Sequence, residues 1–299
     1  MMVSTLLLLF GTGMWAPGLE AVNVDVFPEY TISPIEKSWE IQEKNPYFTA
    51  RSVLLIEADS MNRLYSYNAN LKLPMASLTK LMTALIIIEN HNLDDVVTIS
   101  KISSITEGST MHLQYDEEVT VQQLLKGLLM NSGNDAAVAL AEYHSGTVYK
   151  FVNEMNIRAK ELFMTQTHFV NPHGLDSSVH YASASDLIIL AKKLWKYDEI
   201  KKIVDTKFDT VFAYKKNELQ YENDIQIEHQ LKNTNKLLGT IFQVHGMKTG
   251  TTPNAGQCLM LVVERRNKFY FLVLLGSADR YQDARNILYE LLGDEILQN

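Results

Sequence analysis

Two short runs, Ser52–Glu57 and Arg63–Tyr67, have the composition of β-strands and are separated by the turn-prone Asp59-Ser60-Met61-Asn62, which predicts a hairpin. From Ser77 the period changes. Leu78, Leu81, Met82, Leu85 and Ile88 recur at intervals of three and four, the spacing that gathers side chains on one buried helical face. Val121 to Leu129, Ala136 to Tyr143, Val148 to Leu162 and Ser185 to Tyr197 also read as helices. Strand character returns in Gly256 to Glu264 and Lys268 to Gly276, joined by the polar Arg265-Arg266-Asn267, and Asp283 to Ile296 puts Ile287, Leu288, Leu291 and Leu292 on one helical stripe. Strands at both ends with helices between them predict an α+β fold. Its antiparallel sheet draws on N- and C-terminal segments, and a helical subdomain fills roughly residues 90–200.

Ahead of this body, Leu6-Leu7-Leu8-Leu9-Phe10 lies in an uncharged run from Met1 to Leu19, too short to span a bilayer comfortably and resembling the apolar region of a secretory signal. Residues 1–21 are therefore expected to be a signal peptide, with small residues Ala16 and Ala21 as cleavage points, although no Lys or Arg precedes the run. A buried N-terminal apolar segment is the alternative. Residues 22–49, with Pro28, Pro34 and Pro46 and no clear period, read as a lead-in strap, and residues 50–299 as the folded body.

Composition narrows the chemistry. With 35 acidic and 27 basic residues and a formal charge of −8, the chain lacks the basic excess of a nucleic-acid-binding surface. Cys258 is the single cysteine, so no internal disulfide or thiolate cluster forms, and the eight histidines show no H-E-x-x-H spacing. A mechanism without metal or cofactor is expected. Cys258 itself, within an apolar strand, reads as core.

Three short motifs carry the candidate chemistry. Ser77-Leu78-Thr79-Lys80 opens the first periodic helix. An isolated serine there is an ordinary helix cap. Lys80, three residues on and on the same helical face, offers the base that a serine hydroxyl needs to become a nucleophile, provided burial or positive neighbours lower its pKa. Ser132-Gly133-Asn134 falls in a short loop between two helices, whereas Ser66-Tyr67-Asn68, the same pattern, lies in a strand-like stretch and reads as structural. Lys248-Thr249-Gly250 lies just ahead of the C-terminal strands; alone it reads equally as a surface turn or as a lysine, a hydroxyl and a close-approach glycine facing a carboxylate substrate.

In this order, S-x-x-K, S-x-N and K-T-G resemble the serine-acylating set of penicillin-binding proteins and serine β-lactamases. The longer phrases Pro-Met-Ala-Ser-Leu-Thr-Lys-Leu-Met-Thr (74–83), Met-Asn-Ser-Gly-Asn-Asp-Ala-Ala (130–137), Asn-Pro-His-Gly-Leu-Asp (171–176) and Lys-Thr-Gly-Thr-Thr-Pro-Asn-Ala-Gly (248–256) resemble the D-alanyl-D-alanine carboxypeptidases among the low-molecular-mass penicillin-binding proteins. The resemblance implies a β-lactamase/transpeptidase-like fold and a peptidoglycan stem peptide ending in D-Ala-D-Ala as substrate, with β-lactams as covalent inhibitors. It implies Ser77 as nucleophile, Lys80 as general base, and Ser132 with Lys248 as a proton relay to the departing amine. Asn134 would hold a substrate amide and position Lys80. The backbone N–H groups of Ser77 and Thr251 would form the oxyanion hole, Gly250 would admit substrate backbone, and Thr249 would bind the terminal carboxylate with Arg280 as a second contact. A solvated surface position for Arg280 is the competing reading. His173 and Asp176 are read as shaping their loop, and Asp186 as starting or supporting a helix.

A class A β-lactamase would add an E-x-x-L-N loop, which does not follow Asn134. A D,D-endopeptidase and a non-catalytic penicillin or peptidoglycan sensor remain alternatives. Many relatives continue into a β-rich domain and a membrane-binding helix; here no separate C-terminal β-domain is expected. The last helix, with Glu290, Asp294 and Glu295, does not match a basic membrane-binding surface. The expectation is an exported enzyme on the outer side of the cytoplasmic membrane, free or weakly tethered through its N-terminus.

Overall fold

The computed structural model describes residues 46–216, 224–239 and 243–293. The expected signal peptide and all but the last residues of the strap lie outside them.

A five-stranded antiparallel sheet has the order β2-β1-β9-β8-β7, built from β1 (Ser52–Glu57) and β2 (Arg63–Tyr67) at one end of the sequence and β7 (Val244–Thr252), β8 (Gly256–Arg265) and β9 (Lys268–Ser277) at the other. β1 pairs with β9 from Ser52↔Leu275 to Glu57↔Tyr270, closing the two ends of the body on each other. Successive residues alternate between two cores. Leu54, Ile56, Met260, Val262 and Val273 face the helical side. Val53, Leu55, Leu259, Leu261 and Leu274 face α8 (Arg280–Leu292), which contributes Ala284, Ile287 and Leu288. Burial on both faces explains why β8 and β9 are continuous apolar runs instead of alternating ones. Asp283 in α8 ties down the chain where it enters the sheet, accepting from Thr49 N, Thr49 Oγ1 and Ser277 Oγ.

The helical side holds α1 (Lys80–Asn90), α2 (Lys101–Ser104), α3 (Val121–Leu129), α4 (Asn134–Ser145), α5 (Val148–Glu161), α6 (Ala184–Leu194) and α7 (Asp198–Asp205). α3 begins in a reciprocal capping box between Thr120 and Gln123, which satisfies two otherwise orphaned N–H groups.

This region also contains a second sheet that the helical pattern did not announce. β3 (Val96–Thr98), β4 (Glu117–Thr120), β5 (Phe208–Lys215) and β6 (Ile225–Lys232) form an antiparallel four-stranded sheet in that order. β6 alternates strictly, with Ile227, His229 and Leu231 inward. His229 at a core position interrupts the apolar alternation that would have marked the strand.

Candidate active site

Ser77 is not the N-cap of a helix. It occupies a 3-10 turn, Ala76–Thr79, and the α-helix starts at Lys80. Ala76 has φ +49, a left-handed value unusual for a residue with a side chain. Two backbones clamp this turn. A Cβ on Gly250 would lie 2.8 Å from Ser77 N, and one on Gly174 would lie 2.0 Å from Ala76 O. Only glycine permits either approach.

Lys80, fully buried, has three partners: Ser77 Oγ at 3.1 Å, Asn134 Oδ1 at 2.7 Å and the His173 carbonyl at 2.7 Å. Two of these bonds have a fixed direction. Asn134 Nδ2 donates to the Glu107 carbonyl at 2.7 Å, so Oδ1 faces the lysine. Both Asn134 Oδ1 and His173 O can only accept. The ammonium form can donate to all three oxygens; the neutral amine has two hydrogens for these two acceptors, which leaves its lone pair for the Ser77 hydroxyl. Burial, and next the positive charge of Lys248, hold the Lys80 pKa well below that of a free lysine, against the opposing pull of Asp135.

Ser132 and Asn134 come from the loop between α3 and α4. Ser132 also takes a left-handed φ of +60. The loop is held by Gly133 N to Gly127 O at 3.0 Å and Asn134 N to Ser109 O at 2.6 Å. Asp135, buried beside them, accepts from Met111 N and Leu113 N and so fixes the facing loop.

The Lys248-Thr249-Gly250 motif is not a turn but the interior of edge strand β7. Lys248 is 1% exposed, and its Nζ donates to the Thr249 carbonyl at 3.0 Å. Its pKa is pushed down to about 7, by burial first and by the Arg280 charge second. Arg280 is no solvated surface residue. At 8% exposure its guanidinium donates to the carbonyls of Gly250 (2.7 Å) and Cys258 (2.9 Å), to Gln257 Oε1 (3.0 Å) and to Thr251 Oγ1. It thereby braces β7 and β8 against α8. The Cys258 thiol, buried, is pushed up to about 11, which leaves it protonated and inert.

These elements enclose a cleft of about 590 Å³ whose walls include Ser77, Ser132, Thr249, Gly250, Thr251 and Arg280. Lys80, Asn134 and Lys248 sit behind the walls, and Lys80 meets the cleft through Ser77. Ser109, Thr234, Lys236 and Gln257 also line it, and sequence reasoning missed them. They belong to loops and strand ends that carry no motif. Asp176 accepts from Thr252 Oγ1 at 2.6 Å and from Asn254 N at 3.0 Å, which joins the 171–176 loop to β7. Asp186 accepts from Gln166 N and Thr167 Oγ1 and lies in the first turn of α6. Among the described residues no group of three or more His, Cys, Asp or Glu is placed to hold a metal ion.

A serine on a turn that packs against the edge strand of an antiparallel sheet, with a buried lysine at the start of the helix behind it and a Ser-x-Asn loop facing it from the helical side, defines the β-lactamase/transpeptidase-like class. The DD-transpeptidase of Streptomyces K15 superimposes with a TM-score of 0.77 at 30% identity, covering 83% of this chain and 98% of that one. The carboxypeptidase DacD of Francisella tularensis gives 0.74 at 26% identity, over 86% and 73% of the two chains. The chain belongs to the D-alanyl-D-alanine carboxypeptidase family, peptidase S11, whose profile matches residues 40–279. It is 38% identical to DacF of Bacillus subtilis over 77% of its own length and 31% identical to DacC of Escherichia coli over 87%. It spans 58% and 65% of the length of those two relatives.

Proposed function

We propose that this protein is a serine-type D-Ala-D-Ala carboxypeptidase that removes the terminal D-alanine from peptidoglycan stem pentapeptides. The observation that carries the reading is the setting of Lys80, buried and 3.1 Å from Ser77 Oγ, with two obligate acceptors, so that its neutral form turns a lone pair to that hydroxyl. Lys80 takes the hydroxyl proton as Ser77 attacks the carbonyl of the penultimate D-alanine. The resulting ammonium rests on the Asn134 and His173 oxygens. The tetrahedral oxyanion is received by the N–H groups of Ser77 and Thr251, preorganised because Gly250 lets β7 lie against the nucleophile turn.

The departing amine takes a proton through Ser132, with the buried Lys248 as the second cation of the relay. Thr249, on the cleft wall, meets the terminal carboxylate; Arg280, on the same wall, acts by holding Gly250 and Thr251. Water then frees the shortened peptide. β-Lactams enter the same path and stop at the acyl-enzyme. This substrate places the enzyme outside the cytoplasmic membrane, in keeping with the apolar N-terminal run; among the described residues no helix is long and apolar enough to cross a membrane.

The test is incubation with pentapeptide and with fluorescent penicillin, read by D-alanine release and by intact mass. Wild type releases D-alanine and carries the label; Ser77→Ala does neither. Cleavage of a cross-linked dimer without D-alanine release from pentapeptide would make it an endopeptidase, rapid penicillin turnover a β-lactamase, and labelling with neither peptide activity a sensor.

A further inference from the structure

Behind the nucleophile turn runs a chain of buried hydrogen bonds with a single direction. Val170 N lies 3.0 Å from His180 Nδ1, His180 Nε2 lies 2.7 Å from Thr79 Oγ1, and Thr79 Oγ1 lies 2.8 Å from the Ala76 carbonyl. A backbone N–H only donates, so Nδ1 is the acceptor and the neutral ring carries its hydrogen on Nε2. Nε2–H therefore donates to Thr79 Oγ1, whose own hydrogen is left for Ala76 O, an obligate acceptor. His180 is 2% exposed, Thr79 0% and Ala76 1%. Phe169 meets the His180 ring edge-on at 5.9 Å and fixes its plane. Burial, then the charge of His168, hold the ring pKa down to about 4 despite Asp176, so the neutral form persists through the neutral range.

The carbonyl at the end of this chain belongs to the peptide that links Ala76 to Ser77. That unit is planar, so the orientation of its C=O fixes the orientation of its N–H, the Ser77 N–H. The turn needs such a restraint, because Ala76 is held at φ +49. A hydrogen bond accepted by the carbonyl also polarises the amide and makes its N–H a better donor.

We infer that His180, acting through Thr79, is a positioning residue for the oxyanion hole: it aligns and polarises the Ala76–Ser77 peptide whose N–H receives the developing negative charge. The inference rests on the proposed acyl-enzyme function, which gives that N–H its task. Neither His180 nor Thr79 lines the cleft, so their effect falls on the chemical steps and not on the initial docking of substrate.

The test resolves two quantities, the acylation rate and the affinity of the non-covalent complex, using a chromogenic β-lactam and the full chain. Thr79→Val keeps the shape and removes both bonds; Thr79→Ser keeps the hydroxyl. Complete loss of an oxyanion donor costs about 10²–10³-fold, and here the donor stays but is misaligned, so Thr79→Val is expected to slow acylation about tenfold. Deacylation slows by a similar factor, because it passes through the same oxyanion, while non-covalent affinity stays within about twofold and Thr79→Ser recovers most of the rate.

At position 180 two amides discriminate. His180→Gln presents an N–H near the place of Nε2 and retains the link to Thr79, whereas His180→Asn reaches only Val170. Gln is expected to outperform Asn. A mere loop tether gives the opposite order, and either that order or wild-type acylation by Thr79→Val overturns the inference. Adding His180→Asn to Thr79→Val should cost nothing further; an independent loss on top would overturn the chain as one unit. Should the position-180 variants fail to fold, the Val/Ser pair at Thr79 decides alone. Ser77→Ala runs alongside. If it still becomes acylated, the proposed function fails and takes this inference with it; if it does not, and Thr79→Val reacts normally, only the role of His180 and Thr79 falls.

Discussion

Replacing Gly250 with alanine would put a methyl group 2.8 Å from Ser77 N, 2.9 Å from Ala76 Cβ and 3.2 Å from Met75 O. Non-bonded heavy atoms settle at about 3.5–4.0 Å, so strand and turn would have to part by about 0.7 Å. The turn has no room to retreat, because Gly174 lies against Ala76 O on its other side. The displacement therefore falls on β7 and on the separation of Ser77 N from Thr251 N. A misplacement of 1 Å costs about 10²-fold in rate, and Gly250→Ala is expected to slow penicillin acylation by about 10–100-fold. Overpacking of this kind destabilises by about 1–3 kcal/mol, a fall of a few degrees in Tm. The assay is stopped-flow acylation beside a thermal melt. Gly146→Ala is the control: φ is +77 but nothing lies within 4 Å of the new Cβ, so about 1 kcal/mol is lost with acylation unchanged. Acylation by Gly250→Ala within about twofold of wild type would refute the claim that close approach of β7 builds the site.

Two further outcomes follow from the buried ionisable groups. Asn134→Asp sets a carboxylate 2.7 Å from Lys80 Nζ; an adjacent anion raises a lysine pKa by about 1–3 units, so a larger fraction of the base is protonated at any given pH. Acylation at pH 7 should fall about 100-fold, and the rising limb of the pH–rate profile should move to higher pH; an unmoved limb would count against Lys80 as base. In the second sheet, His229 Nδ1 lies 2.9 Å from the Met111 carbonyl and Nε2 3.2 Å from Glu117 Oε2. Burial opposes the imidazolium, but the hydrogen bond and charge of Glu117, with the Met111 carbonyl and the charge of Asp135, together outweigh it and raise the His229 pKa. A raised histidine pKa stabilises the fold below the unfolded-state pKa, and that stability is lost as pH rises through the folded value. Glu117→Gln should therefore cost about 3 kcal/mol in urea unfolding near pH 6 and markedly less near pH 9. An equal cost at both would exclude the charged pair.

Four strands of the five-stranded sheet and most helices were legible because each has one uninterrupted period: α3 runs over Val121–Leu129, and β8 and β9 begin at Gly256 and Lys268, as their apolar runs indicate, whereas β7, whose run is broken by Gly246, Lys248 and Gly250, was not. β5 and β6 were not, because their cores are thin and one inward position is His229. At the site, residue types were legible while surroundings were not. Lys248, whose motif read equally as a surface turn or a substrate-facing lysine, is buried within a strand, and Arg280, expected as a second carboxylate contact or a surface residue, is a buried brace, since no local spacing encodes contacts made by distant elements.

By itself the sequence determined the identities and order of the candidate groups, Ser77, Lys80, Ser132, Asn134 and Lys248, because motifs specify residue type and spacing. Only the tertiary structure decided what those groups are. Lys80 is suited to the base role proposed for it because burial and its partners strip it of solvent and lower its pKa, and residues nearly a hundred positions away supply that environment. The His180–Thr79–Ala76 chain has no sequence signature for the same reason. Burial and hydrogen-bond direction are properties of neighbours in space, and folding is what makes them neighbours.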